Sequence, residues 1–168
     1  MITLITGGIK SGKSSFALRY VLSKNYRTRA FIATGVPFDE EMRTRIEKHK
    51  AERLDMFDTF EEAIDVSRVI RKIDGTYEVI LFECLTTYLG NLYYHDADVE
   101  KYLSDLIFVM SAMKSDMVIV TNEVGWSIVP ENKLARRYAE TLGSVNSKIA
   151  SIAGEVYAVI SGIEVRIK

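Results

Sequence analysis

Apolar and polar residues along this chain recur in two periods, and the switches between them mark out its elements. Ile2-Thr3-Leu4-Ile5-Thr6 is a short apolar run that predicts a first strand. Phe16-Ala17, Tyr20-Val21 and Leu22 then follow helical spacing, from near Lys13 to near Asn25. Arg29 to Gly35 reads as a second buried strand, closed by Gly35 and Pro37. Asp39 is placed to cap a helix running to about Arg53, with Glu40 and Glu41 in its first turn, where the helix dipole favours acids. An extended piece from Met56 to Phe60 leads into a helix predicted over Glu61 to Ile73, stopped by Asp74-Gly75.

Glu78 to Cys84 is a third strand with a continuously apolar middle, the pattern of a parallel sheet covered on both faces. Leu85 to Tyr94 and Val99 to Lys114 read as helices around a polar break at His95–Asp98. Met117 to Thr121 is a fourth strand, and a loop from Asn122 leads to Pro130, which suits the first turn of a helix. Leu134, Tyr138, Leu142, Val145, Ile149 and Ile152 form one apolar stripe, closed by Gly154. Val156 to Ile160 is a fifth strand and Glu164 to Lys168 a short last one. Strands alternating with helices throughout predict an α/β fold with a doubly wound, mainly parallel central sheet. No linker or repeat interrupts it, so residues 1–168 are expected to form one nucleotide-binding domain. Ligands of such sheets lie outside the carboxyl ends of the strands. That rule gathers residues 7–14, 33–35, Glu83 and 121–123 on one rim.

The chemistry begins where the first strand ends. Gly7-Gly8-Ile9-Lys10-Ser11-Gly12-Lys13-Ser14 fits G-x-x-x-x-G-K-[ST] between a strand and a helix. Glycines let backbone N–H groups converge on phosphate oxygens, and the helix amino end adds partial positive charge. Lys13 is placed to reach the β- and γ-phosphates, and the Ser14 hydroxyl to ligate Mg2+. The motif predicts a nucleoside triphosphate ligand. Glu83, at a strand end, is a candidate support for the metal, and Asn122 and Glu123 are candidate substrate ligands or surface caps. An N-K-x-D guanine-reading motif is absent.

At about 100° per residue, His49 and Arg53 share the inward face of the Asp39–Arg53 helix with Met42 and Ile46. Arg45 and Arg53 bracket His49 and could grip phosphate. His49 itself could be a general base, a nucleophile or a packed side chain. His95, in the polar break, reads as a surface residue, and two histidines with one cysteine make a zinc site improbable.

Composition narrows the classes. With 48% apolar and 27% charged residues and a net charge of −1, the chain offers no electrostatic case for a nucleic-acid partner. The single cysteine, Cys84, allows no internal disulfide and suits a reducing cytoplasm. No apolar run approaches the ~18 residues of a membrane span, and the first apolar residues run directly into the phosphate loop rather than forming a signal peptide.

Several segments, in order over almost the whole length, are similar to one family. They are Leu4 to Ser14, Ile32-Ala33-Thr34, Asp39 to Met42 with Arg45, Ile46 and His49, and Glu83-Cys84-Leu85-Thr86-Thr87 with Asn91-Leu92. Thr121-Asn122-Glu123-Val124-Gly125, Ile128 to Asn132, Leu134 to Arg136, Gly143 with Asn146, and Ser161-Gly162 complete them. The chain resembles the bifunctional adenosylcobinamide kinase/adenosylcobinamide-phosphate guanylyltransferases of cobalamin biosynthesis. The resemblance implies a three-layer P-loop NTPase fold of RecA-like type and two activities. One phosphorylates adenosylcobinamide; the other transfers GMP from GTP to adenosylcobinamide phosphate. It implies that His49 carries the GMP, and that Lys13 is catalytic. It also implies nucleotide contacts from Gly7, Gly8, Ile9, Lys10, Ser11, Gly12, Lys13, Ser14, Ala33, Thr34, Gly35, Lys50, Ala51, Glu52, Arg53, Glu61 and Glu83. GTP and ATP are the implied nucleotides, Mg2+ the implied ion, and a homo-oligomer, with a trimer as candidate, the implied assembly. Leu54 and Phe57 stand where the family commonly has proline and tryptophan. The competing readings are a plain P-loop small-molecule kinase with a structural His49, and a non-catalytic nucleotide sensor.

Overall fold

Seven strands of a single sheet run in the order β3-β2-β4-β5-β1-β6-β7, parallel except for β7, which is antiparallel to β6. A computed structural model describes residues 1–35, 40, 44 and 54–168. The strands are β1 (Ile2–Gly7), β2 (Arg29–Ala33), β3 (Asp58–Glu61), β4 (Val79–Glu83), β5 (Asp116–Val120), β6 (Glu155–Ile160) and β7 (Ile163–Arg166). The helices are α1 (Lys13–Ser23), α2 (Val66–Ile73), α3 (Leu85–Tyr94), α4 (Val99–Ala112) and α5 (Lys133–Ile152), with a 3-10 turn at Leu54–Met56.

Neighbouring residues on each inner strand serve opposite faces, as the period of two requires. Ile5, Phe31, Leu81, Val118 and Val120 pack with Phe16, Ala17, Tyr20 and Val21 of α1. Leu4, Ala30, Ile32, Ile80, Phe82, Met117 and Ile119 pack on the other face, with apolar residues of α2, α3, α4 and α5. Each layer buries the apolar stripe of the next, and this explains why the inner strands read as unbroken apolar runs.

Three expectations shift. Residues 58–61 form β3 beside β2, and the following helix starts at Val66, not at Glu61. The Glu62 carboxylate accepts from the N–H groups of Ile64 (2.9 Å) and Asp65 (3.0 Å), building a turn there, and Asp65 then caps α2 through Arg68 N–H. Side-chain acceptors of this kind compete with helix for the local backbone. Pro130 does not begin α5; Asn132 caps it by accepting from Ala135 N–H at 3.0 Å, which satisfies a donor that a proline start would leave open. The α5 stripe is buried at Leu142, Val145 and Ile149, whereas Leu134 and Ile152 are exposed. The helix extends past the core at both ends. The helix expected from Asp39 to about Arg53 lies outside the described residues, apart from Glu40 and Thr44, which are helical.

Candidate nucleotide site on the carboxyl rim

The site is laid out by strand register. Glu61, Ala33, Glu83, Val120, Ile5 and Tyr157 form one row of paired residues across six strands, near their carboxyl ends. Two residues beyond Ile5, β1 ends at Gly7 and the phosphate loop begins. The expected rim therefore assembles: residues 7–14, 33–35, Glu83 and 121–123 lie along one edge of the sheet, and Glu61, paired with Ala33, stands on it as well. Lys50, Ala51, Glu52, Arg53 and His49 lie outside the described residues.

The loop is held by its neighbours as well as by its own turn. Ser11 N–H donates to Gly8 O at 3.2 Å, Gly162 N–H to Ser11 O at 2.9 Å, and Glu123 N–H to Gly7 O at 3.0 Å. Gly12, at the N-cap of α1, has φ +94°, a conformation that glycine adopts without steric cost. Lys13 is buried and its ammonium donates to Gly8 O at 3.0 Å. Burial pushes the Lys13 pKa below that of an ordinary lysine, a shift that neighbouring Cys84 and Glu83 partly oppose. A cation in such a low-dielectric setting interacts with phosphate more strongly than a solvated one.

Thr34 joins β2 to β4. Its hydroxyl accepts from Cys84 N–H at 3.0 Å and donates to Cys84 O at 3.0 Å. Cys84 caps α3 through Thr87 N–H, and burial raises its thiol pKa, so the structure treats it as a packed thiol. Phe57 is core as well, edge-on to Phe31 with ring centroids 6.2 Å apart. His95 is exposed, its ring edge-on to that of Tyr94.

Polar groups on inward helix faces tie the rim together; periodicity placed Tyr138 on the apolar stripe but gave Thr86 and Asn146 no role. Asn122 N–H donates to Thr86 Oγ1 at 2.7 Å, and Tyr138 OH to Thr86 O at 2.7 Å. Asn146 accepts from Thr121 Oγ1 at 2.9 Å and donates to Asn122 O at 3.1 Å. Its position, four after Leu142 and three before Ile149, puts it on the apolar stripe. That was the available signal, since a polar residue on a buried face needs a partner.

Among the described residues no group of three or more His, Cys, Asp and Glu side chains could hold a metal ion. A cation here would depend on a few protein oxygens together with those of a ligand, which is how Mg2+ is commonly held at nucleotides. The Ser14 hydroxyl and Glu83 carboxylate fit that role: both are hard oxygen donors, and neither side chain makes a hydrogen bond among the described residues.

Comparison with known proteins agrees along the full length. A model of the family described as cobinamide kinase / cobinamide phosphate guanyltransferase matches residues 3–167. The bifunctional adenosylcobalamin biosynthesis protein CobU of Escherichia coli (strain K12) is 37% identical over 183 residues, covering 100% of both chains. The corresponding protein CobP of Pseudomonas aeruginosa is 30% identical over 171 residues, covering 100% of this chain and 98% of that one. Among solved structures, an ATPase of the type III secretion system of pathogenic bacteria aligns with TM-score 0.60 at 8% identity, over 94% of this chain and 50% of that one. The flagellar accessory protein FlaH of Methanocaldococcus jannaschii aligns with TM-score 0.55 at 13% identity, over 99% and 77%. At such identities the structural likeness speaks for the fold alone, which is that of P-loop NTPases.

Proposed function

The chain belongs to the cobinamide kinase / cobinamide phosphate guanyltransferase family, and we propose that one phosphate loop serves both of its reactions. It is a phosphotransferase and nucleotidyltransferase acting on a nucleoside triphosphate and a cobinamide. The observation that carries the shared-site reading is the loop itself: a single G-x-x-x-x-G-K-S turn at the end of β1, with buried Lys13 inside it.

In the first reaction the hydroxyl of adenosylcobinamide attacks the γ-phosphorus of a nucleoside triphosphate, the bond to the β-phosphate oxygen breaks, and a nucleoside diphosphate leaves. Lys13 and the N–H groups of the loop and first turn of α1 hold the β- and γ-phosphates in line. In the second, an imidazole nitrogen of His49 attacks the α-phosphorus of GTP and pyrophosphate leaves. The phosphate of adenosylcobinamide phosphate then attacks that phosphorus, the P–N bond breaks, and adenosylcobinamide-GDP is released with the histidine restored. An unperturbed histidine pKa of about 6.5 leaves most of the imidazole neutral and nucleophilic at pH 7. Ala33, Thr34, Gly35 and Glu61 on the rim, and Lys50, Ala51, Glu52 and Arg53, are the proposed nucleotide contacts beyond the loop. Mg2+, held by Ser14 and Glu83, would supply Lewis-acid stabilisation of charge on the phosphate oxygens.

The reading also makes the chain a single catalytic domain and a cytoplasmic homo-oligomer, with a trimer as the candidate assembly. Its support is the family resemblance; in addition, no described helix is long and apolar enough to cross a membrane. The test is GTP labelled at the α-phosphate, incubated with Mg2+ and no acceptor. Acid-labile, base-stable label on the denatured protein, absent from His49→Ala, is the expected result. No label, with γ-phosphoryl transfer to adenosylcobinamide intact in His49→Ala, would leave a plain kinase with a structural histidine.

A further inference from the structure

Asn122 stands where β5 leaves the sheet, between the strand that feeds the phosphate loop and the strand that ends at Glu83. The parallel ladder to β1 continues past the end of β5: Thr121 N–H donates to Ile5 O and Glu123 N–H to Gly7 O, both at 3.0 Å. Residues 121–123 are therefore still extended, and their side chains alternate between faces as within the strand. Val118 and Val120 pack with α1, whereas Met117 and Ile119 belong to the other layer, where Thr121 meets Asn146 of α5. Asn122 thus points to the face that α1 covers, on which the phosphate loop turns into that helix.

The Asn122 backbone is held from two helices. Its N–H donates to Thr86 Oγ1 at 2.7 Å and its carbonyl accepts from Asn146 Nδ2 at 3.1 Å. These bonds fix where the side chain emerges and leave it unused: the amide is half-buried and makes no hydrogen bond among the described residues. Glu123, by contrast, is taken up in its own turn, accepting from Gly125 N–H at 2.9 Å. The Lys13 ammonium donates to Gly8 O on the β1 side. Burial lowers its pKa, opposed by Cys84 and Glu83 on the β4 side. The ammonium therefore stands between the two flanking strands, over the exit of β5. A loop lysine reaches the β- and γ-phosphates, so that end of a triphosphate is what the amide faces.

We propose that the Asn122 amide donates a hydrogen bond to a non-bridging oxygen of the γ-phosphoryl group, as a catalytic residue of phosphoryl transfer. This role rests on the reading that the loop holds the triphosphate for that reaction. The hydroxyl oxygen of adenosylcobinamide bonds to the γ-phosphorus and the bond to the β–γ bridging oxygen breaks. The diphosphate leaves with the electron pair, and the hydroxyl proton passes to solvent. Asn122 keeps the transferring group in line while these bonds exchange. In guanylyl transfer the breaking bond lies between the α- and β-phosphates, so the same amide touches only the departing pyrophosphate. The two reactions depend on it unequally.

The test uses the full chain with Asn122→Leu, which keeps the side-chain size and removes the amide, and Asn122→Asp, which keeps acceptor oxygens and removes the donor. Phosphorylation of adenosylcobinamide from γ-labelled GTP is expected to lose ~100-fold in kcat in Asn122→Leu, the scale of one lost donor to a reacting centre. Asn122→Asp should lose at least as much, because a carboxylate repels the phosphate; it is the variant to read if Asn122→Leu does not fold. Guanylyl transfer from α-labelled GTP at saturation should stay near the parent's rate. In calorimetry, affinity for a GTP analogue with a methylene β–γ bridge should fall ~10-fold, while GDP binds as in the parent. A merely structural asparagine would instead move the melting temperature, GDP binding and both reactions together. Equal losses in both reactions, an unchanged kinase rate, or parent-like phosphorylation by Asn122→Asp overturn the proposal. Phosphorylation surviving in Lys13→Ala would remove the loop reading itself. An inactive Lys13→Ala beside a fully active Asn122→Leu would remove only the role of the amide.

Discussion

Two adjacent glycines in the phosphate loop are not equivalent. A Cβ added at Gly7 would sit 2.4 Å from Val159 O and 2.6 Å from Ser11 Oγ, whereas one added at Gly8 meets nothing within 4 Å. Val159 O belongs to β6, so the first clash cannot be relieved by a side-chain rotation. Gly7→Ala should therefore push the loop off the sheet and weaken binding of GTP at least ~10-fold, the equivalent of about 1.4 kcal/mol. Gly8→Ala should leave binding nearly unchanged. Titration calorimetry on the two variants checks this, and equal affinities would mean that the loop absorbs the methyl group at Gly7. The motif singles out the same position, since Gly7 is its first fixed glycine and Gly8 one of its variable residues. The steric reason is visible only once β6 lies alongside β1.

At the scale of elements, α1 is tied to β6 by a polar cluster on the sheet face that it covers. Tyr20 OH donates to Glu155 at 2.6 Å, Tyr157 OH to the same carboxylate at 3.1 Å, and Arg166 lies 3.2 Å from its other oxygen. The Tyr20 hydroxyl bond, against the opposing effect of burial, and then Tyr157 and Arg166, hold the Glu155 carboxyl below the usual range. Burial first, and then Glu155, pushes the Tyr20 phenol up to about 12. A carboxyl with a depressed folded-state pKa stabilises the fold above its unfolded value of about 4.3, and loses that contribution as pH falls through the folded value. Glu155→Gln should cost about 1 kcal/mol at pH 7. Its denaturation midpoint should approach that of the parent as the pH is lowered from 5 towards 3. Urea melts across that range check the sign; a gap that widens on acidification would contradict it. Element ends obey the same local chemistry. Asp65 and Asn132 cap α2 and α5 with side chains, and these caps, not the apolar spacing, set where the helices begin.

At the scale of the whole molecule, one sheet edge collects the described residues proposed to contact the nucleotide. Because Lys13 stands in the only phosphate loop of the sequence, Lys13→Ala should lower kinase and guanylyl-transfer rates together, each by at least ~100-fold. Parallel assays with γ- and α-labelled GTP test it, and survival of either activity would break the idea of a shared site. The local part of this architecture was legible in the chain. The phosphate loop is a fixed motif over eight neighbouring residues, the inner strands are apolar runs made strong by burial on both sheet faces, and the α5 stripe follows a period of 3.6. The rim could be inferred as well, because parallel strands with crossover helices put their loops at one edge. Contacts between distant residues could not be read this way. Asn91 meets carbonyls 57 and 28 residues away, and Asn146 meets Thr121 and Asn122 at 25 and 24. Hydrogen bonds need atoms within about 3 Å at a set angle, and no periodicity encodes that over such separations. By itself the sequence determined the fold, the phosphate loop and the family, because each is carried by local residue order. Only the tertiary structure decided which polar side chains hold the rim in place, because those partners meet only when the sheet and its helices have packed.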